Sequence, residues 1–393
     1  MLRPLSPVTL LIATLAAADL LPNPSFETAD PRDPARPQHW RGDRWGDNAA
    51  TFRWLRTGYQ SARSVQVTLR KRVSGDARWS YEPRPVEGGA TYEFSDRYRA
   101  TVPTRVVVTV TLKDGSTRYL RLGAAPASAR WARYADRFTV PLAASRATVT
   151  HLIERDGELT VDELRLEARE PKGFRRPVVT LTFDDGRASN VTTVLPVLES
   201  HHLTSTQFCA TGLLGRQGHL SLDDLRAFSR AGHEIGGHSV SHRDLTTLSG
   251  TELERELRDS KQLLERELGI TVSSFASPYG LYDDRVLDVV RRHYGSHRGV
   301  ETGYNPKDGW DAYRVKVQSV HLDTTIDEVR EWLSTARRRK EWLILVYHKV
   351  DDEGLSEFDT RSEAFVSQMR AVAESGIHVA TVRQAVAELS RQR

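Results

Sequence analysis

The run Val178-Val179-Thr180-Leu181-Thr182-Phe183 is apolar and β-branched, and it stops abruptly at Asp184-Asp185-Gly186. Such a run reads as a buried strand. Nothing about a strand end calls for two neighbouring carboxylates. Side by side they repel, so a cation, a proton or a strong hydrogen-bond donor is required to stabilise them. In α/β proteins the carboxyl ends of strands are where ligands bind. Some other part of the chain must therefore answer this pair.

The answering stretch is Gly236-Gly237-His238-Ser239-Val240-Ser241-His242. Two His four apart on one side of a helical turn bring both imidazoles to a single metal. Two His plus one carboxylate form a facial set that leaves coordination positions open, and the other Asp of the pair is left to act as a base on water. No Glu lies between the two His, so the zinc-protease pattern does not apply. A second buried run, Leu345-Val346-Tyr347, ends in His348, placed to protonate a leaving amine. Between them, Phe275-Ala276-Ser277-Pro278-Tyr279-Gly280 turns through Pro and Gly and is able to aim backbone N–H groups at a developing oxyanion.

At 393 residues the chain is long enough for two domains, and 39% hydrophobic content with eight Trp supplies two cores. Arg far outnumbers Lys, yet the net charge is only +4 and no long basic run carries interleaved aromatics, so no nucleic-acid partner is expected. Arg337-Arg338-Arg339-Lys340 reads as the solvated last turn of a helix, where cations suit the dipole. Arg3 precedes an apolar run over residues 8–18 that closes in Ala16-Ala17-Ala18, the layout of a secretory signal over residues 1–18. That run is about half of the roughly 20 residues a membrane span needs. No other segment qualifies, so an exported protein without a transmembrane span is expected, secreted or held in the periplasm or cell envelope. Cys209 is the sole cysteine, which excludes an intrachain disulfide and reads as buried packing.

Residues 19–168 alternate in short strand-like runs, among them 65–69, 106–112, 119–122 and 164–166, separated by Gly, Pro, Asp and Ser. That spacing predicts an all-β sandwich. Residues 169–176 are polar, with Pro and Gly, and read as a linker. From 177 to 393 strands alternate with helices, whose starts are marked by capping boxes at Ser221, Ser249 and Thr325. An α/β barrel or a doubly wound sheet follows from that alternation.

The four motifs Thr182-Phe183-Asp184-Asp185-Gly186, His238-Ser239-Val240-Ser241-His242, Ser277-Pro278-Tyr279-Gly280 and Leu345-Val346-Tyr347-His348 resemble, in order, those of the polysaccharide deacetylases, the NodB-homology enzymes of carbohydrate esterase family 4. The resemblance spans residues 177 to about 390. It implies an incomplete (β/α) barrel and a divalent metal, usually Zn²⁺, with Co²⁺ or Ni²⁺ accepted. It also implies roles: Asp184 the base, Asp185, His238 and His242 the metal ligands, His348 the acid, and the Tyr279 amide an oxyanion donor, with Pro278 and Tyr279 against the substrate. The implied reaction is hydrolysis of acetamido groups on an N-acetylglucosamine-containing polysaccharide by a monomer. O-deacetylation of xylan or another acetylated glycan is the second reading, and a glycan-binding protein with an inactive barrel the third.

One position departs from the family pattern. Where many members carry an Arg that pairs with the catalytic Asp, this chain has Ala276. Arg314 is the expected substitute, and Trp310, in Asp308-Gly309-Trp310-Asp311, echoes a substrate-binding Trp. The first domain resembles jelly-roll carbohydrate-binding modules in its opening Leu21-Pro22-Asn23-Pro24-Ser25-Phe26-Glu27 and its closing strand at 161–166. That likeness implies a structural Ca²⁺ held by Glu27 and Asp162. Trp54, Trp79 and Trp131 are either core or sugar-stacking residues, with core favoured.

Overall fold

The computed structural model describes residues 19–392; the expected signal at residues 1–18 lies outside them. The first domain is a sandwich of two antiparallel sheets. One has the order Thr117–Ala125, Thr104–Leu112, Ala144–Ile153, Asp76–Tyr81, Trp40–Trp45, and the other Ser128–Thr139, Thr91–Ala100, Gly157–Arg169, Ser64–Arg70, Ala49–Leu55. Alternation places side chains of period two in the space between them. Val106, Val108 and Val110 from one sheet and Val65, Val67 and Leu69 from the other belong to one buried core. Trp79 belongs to this core, and Trp54 packs on it while its indole N–H donates to the Phe26 carbonyl at 3.0 Å. Trp131 instead lies half-buried against Tyr59 on the outer side of the second sheet.

The second domain is a barrel of seven parallel strands: β1 (Val178–Phe183), β2 (Ser205–Cys209), β3 (Glu234–Gly237), β4 (Ser274–Ala276), β5 (Ser296–Thr302), β6 (Val315–Ser319) and β7 (Trp342–Tyr347). Each pairs with the next, and β1 pairs with both β2 and β7, which closes the ring. A short strand, His378–Val379, adds to the start of β1. Every residue of β1 and of β7 is buried, which is why both read as uninterrupted apolar runs.

Helices cover the outside. The capping boxes at Ser221, Ser249 and Thr325 are formed as the sequence signals, and a further one joins Thr381 to Gln384. The helix Gly250–Leu268, called α1 here, buries Leu253, Leu257 and Leu264 on one side and ends where Gly269 turns left-handed at φ 65°. Arg337, Arg338 and Arg339 do form the last turn of the helix Ile326–Arg339. That turn is not wholly solvated, because Arg339 donates to the hydroxyls of Thr91 (2.6 Å) and Thr139 (2.7 Å) in the sandwich.

Of the expected linker 169–176, Arg169 ends the last sandwich strand, and the residues after it join the domain contact. The Lys172 N–H donates to Asp308 Oδ1 at 2.7 Å, and Phe174 is buried edge-on to Trp310. Asp308 also accepts from Arg137 of the sandwich at 2.8 Å. Glu27 and Asp162, named for calcium, are engaged by the chain's own donors. Glu27 accepts from the Arg63 N–H, and Asp162 accepts from the Tyr59 N–H, the Ser61 hydroxyl and the Glu163 N–H.

Candidate active site

The parallel register sets Phe183 beside Tyr347, so Asp184 and His348 emerge together at the carboxyl edge of the barrel. The Asp184 N–H extends that ladder to the Tyr347 carbonyl at 2.9 Å. Asp185 then adopts φ 68°, a left-handed backbone that turns its side chain away from that of Asp184. For a residue other than Gly or Asn such a conformation costs of order 1 kcal/mol or more and persists where surroundings enforce it. Gly186 continues the turn at φ 62°, and a Cβ there would come within 3.2 Å of the Cys209 sulfur. The two carboxylates thereby face different partners.

Asp185 faces the histidines. Its Oδ1 lies 3.1 Å from His242 Nε2 and 3.4 Å from His238 Nε2, and the three donor atoms all lie within 4.8 Å of one another. Among the described residues this is the group of His, Cys, Asp and Glu side chains that converges as a metal site would. Burial by itself would raise the Asp185 pKa, but the hydrogen bonds from His238 and His242 outweigh it and hold the carboxyl well below its usual range. His238 Nδ1 donates to the Ala276 carbonyl at 2.8 Å, which fixes the ring and turns Nε2 toward Asp185; loss of the Nε2 proton would free its lone pair for a metal. Two imidazoles and a carboxylate, oriented in this way, fit a divalent cation with open positions.

The segment carrying these His is not helical, contrary to the four-residue-spacing expectation. Residues 238–242 form a loop after β3, with left-handed Ser239 (φ 65°) and His242 (φ 57°). Glu256 on α1 holds it: one carboxylate oxygen accepts the N–H groups of Val240 and Ser241, both at 2.8 Å, and the other accepts the Ser241 hydroxyl at 2.6 Å. Gly237 leads into the loop where a Cβ would strike the Tyr294 hydroxyl at 2.5 Å.

Asp184 is ion-paired with Arg298, only 2% exposed on β5, whose Nη2 donates to Asp184 Oδ1. The Arg314 expectation is therefore corrected. Arg314 is instead bound to Asp284 at 2.7 Å on the surface. The reason is the register: Ala276 on β4 is the Cα partner of Arg298 on β5, so the small residue leaves room for a cation from the neighbouring strand. Trp310 is corrected likewise. It is 7% exposed and packed edge-on between Phe174 and Trp342 in the barrel core, so it offers no face to a substrate.

His348 Nε2 lies 3.9 Å from Asp184 Oδ2. Burial lowers the pKa of this imidazole, against the opposing pull of Asp184 and Asp185. Pro278 is buried at the third turn, whereas Tyr279, at φ 58°, is 62% exposed with its ring centroid 4.7 Å from that of His242. Phe358 (46% exposed) stands on the opposite side, 5.9 Å from the His348 ring. Beside the site opens a pocket of about 500 Å³ lined by Arg187, Ser189, Lys349, Asp351 and Ser356. Arg187 links it to the histidine cluster by binding Asp185 Oδ2 at 2.9 Å.

The profile of the family described as Polysaccharide deacetylase matches residues 172–294, a stretch holding Asp184, Asp185, His238, His242 and Tyr279. The chain carries a polysaccharide deacetylase domain. The Chitooligosaccharide deacetylase of Azorhizobium caulinodans is 31% identical over 140 residues, covering 35% of this chain and 63% of that protein. The Peptidoglycan-N-acetylglucosamine deacetylase PgdA of Listeria monocytogenes is 28% identical over 121 residues, 30% of this chain and 25% of that protein. This chain thus spans less than two thirds of the length of either relative. Among solved structures, the Xyl-CE4 domain of a multidomain xylanase from the hindgut metagenome of Trinervitermes trinervoides aligns with a TM-score of 0.41 at 20% identity, over 55% of this chain and 92% of that one. The deacetylase profile stops before Arg298 and His348, which the barrel alone brings to the site. Arg298 and Glu256 were missed from the sequence. The available signal for Arg298 was a charge within Ser296-His297-Arg298-Gly299-Val300, one strand after Ala276.

Proposed function

We propose that this chain is an exported, metal-dependent hydrolase that removes acetyl groups from the acetamido substituents of an N-acetylglucosamine-containing polysaccharide. The observation that carries the reading is the division of the Asp pair: Asp185 joins His238 and His242, while Asp184 stays apart, held by Arg298 and facing His348. Asp185, His238 and His242 would hold the cation, Zn²⁺ in our reading. Such a cation supplies positive charge that acidifies water and polarises a carbonyl. Asp184 accepts the proton of the attacking water, and Arg298 holds that carboxylate aimed. His348 gives a proton to the departing amine, which otherwise leaves poorly. The N–H at Tyr279 steadies the developing oxyanion, a kind of donor whose loss costs on the order of 10²–10³ in rate. Tyr279 and Phe358 flank the site as apolar walls for sugar rings.

The test is acetate release from N-acetylchitooligosaccharides, with acetylxylan assayed in parallel. We expect release from the first that stops with chelator, returns with Zn²⁺ or Co²⁺, and falls by 10² or more in Asp184→Ala and in His348→Ala. Full activity in the chelated protein would sink the reading, and release from acetylxylan alone would move it to ester substrates.

A further inference from the structure

The five-stranded sheet of the sandwich uses one face for the core; on the other, Tyr59 and Ser61 cover Asp162 and Arg137 binds Asp308 of the barrel, while Arg53, Arg133 and Arg165 are exposed. Cross-strand pairing lines up the outer residues in rows. Arg53 faces Gln66, Gln66 faces Thr160 and Thr160 faces Arg99. In the next row Asp162 faces Arg97, which on its other side faces Arg133, and beyond it Ser95 stands between Arg165 and Ala135. Arg53, Arg133 and Arg165 are exposed, and Arg97 and Arg99 half-buried. Among the described residues none of these five cations has a carboxylate within ion-pair distance. Asp162 does lie in the second row, but it is buried and its oxygens are committed to Tyr59, Ser61 and Glu163.

This is an unusual way to arrange charge. Like charges directly opposite on antiparallel strands destabilise the sheet, and Arg97 and Arg133 stand in that relation. Two of the guanidinium groups are moreover held against aromatic rings. Arg97 sits 4.4 Å from the Tyr59 ring and Arg99 4.6 Å from the Trp131 ring, the two rings lying 6.1 Å apart. Stacking fixes a guanidinium while its N–H groups remain free to donate, the state in which Arg binds carboxylates best. It also covers the two rings with cations, so they are not open platforms for the apolar face of a neutral sugar.

We infer that this face binds an acidic polysaccharide through its carboxylates. An extended polyanion satisfies several of the five cations at once and relieves the Arg97–Arg133 repulsion. The choice of a glycan over a nucleic acid rests on the deacetylase reading of the barrel; the binding of a polyanion does not.

The test uses the full chain and measures its binding to polygalacturonate at low salt, beside the neutral methyl ester of the same polymer and double-stranded DNA. We expect binding to polygalacturonate that weakens with added salt and is absent for the ester. It should weaken at least tenfold in Arg97→Gln/Arg99→Gln and, independently, in Arg133→Gln/Arg165→Gln, so that one pair remains informative if the other fails to fold. Equal binding of the ester, indifference to both double substitutions, or tighter binding of DNA through the same residues would each overturn the inference. Acetate release from chitooligosaccharides, measured on the same preparation, reports the barrel separately, so failure of one reading is not mistaken for failure of the other.

Discussion

Arg298 shows how much one buried cation decides. Its guanidinium is enclosed, donating to Asp184 and to the Gly299 carbonyl (3.2 Å) and lying 5.0 Å from the Phe208 ring. Removing one partner of a buried pair leaves an uncompensated charge, at a cost of about 3–5 kcal/mol. Arg298→Ala should therefore lower the urea midpoint strongly and reduce acetate release by 10² or more, because Asp184 loses the donor that aims it. Arg314→Ala should leave both within error, since a change at an exposed ion pair is worth within about 0.5 kcal/mol. Equal effects of the two substitutions would show that the pairing with Asp184 is not what matters.

The element that sets metal affinity is the loop between β3 and α1. Its two left-handed residues leave it no helical hydrogen bonds of its own, and Glu256 supplies the replacement acceptors. Glu256→Gln keeps the helix but weakens those bonds and loses their charge-assisted strength. Groups that orient metal ligands typically change affinity 10–100-fold when altered. We expect that range of loss for Zn²⁺ in competition with a chromophoric chelator, with unchanged helical circular dichroism. The sequence placed His238 and His242 on one metal for the wrong local reason: a loop pinned by a distant carboxylate, not a helical turn, brings them together.

Across the whole molecule, two buried imidazoles couple the fold to pH. His233 accepts from Ser205 and is pushed down by burial to about 4. His297, which donates to the Tyr313 carbonyl and lies against Ser277, is pushed down, chiefly by burial, to about 3. Both are neutral in the folded chain and take up protons on unfolding. The unfolded state therefore binds more protons below about 6.5, so the stability from these groups is complete above that pH and is lost as pH falls toward 4. The thermal midpoint should drop between pH 7 and pH 4, and His233→Gln should flatten that slope. Glu341 acts in the opposite direction: burial raises it to about 7, so its contribution is complete below 4.5 and fades as pH rises through 7. The midpoint is thus expected to peak in mildly acidic solution.

The sequence by itself determined whatever depends on local pattern. Alternating Val in residues 104–112 and the capping boxes at Ser221, Ser249 and Thr325 specify their elements without outside help. The sandwich, the strand–helix alternation and the identity of the metal-binding residues were legible for that reason. Tertiary structure alone decided which side chains meet across strands. Arg298 reaches Asp184 only because β4 and β5 pair with Ala276 beside it, and Trp310 leaves the site because Phe174 and Trp342 enclose it. Asp184 and Asp185 were visible in the sequence as two carboxylates in need of cations. That the two were answered separately, one by histidines and one by an arginine from a neighbouring strand, follows from a left-handed turn at Asp185 and a strand register that no run of residues spells out.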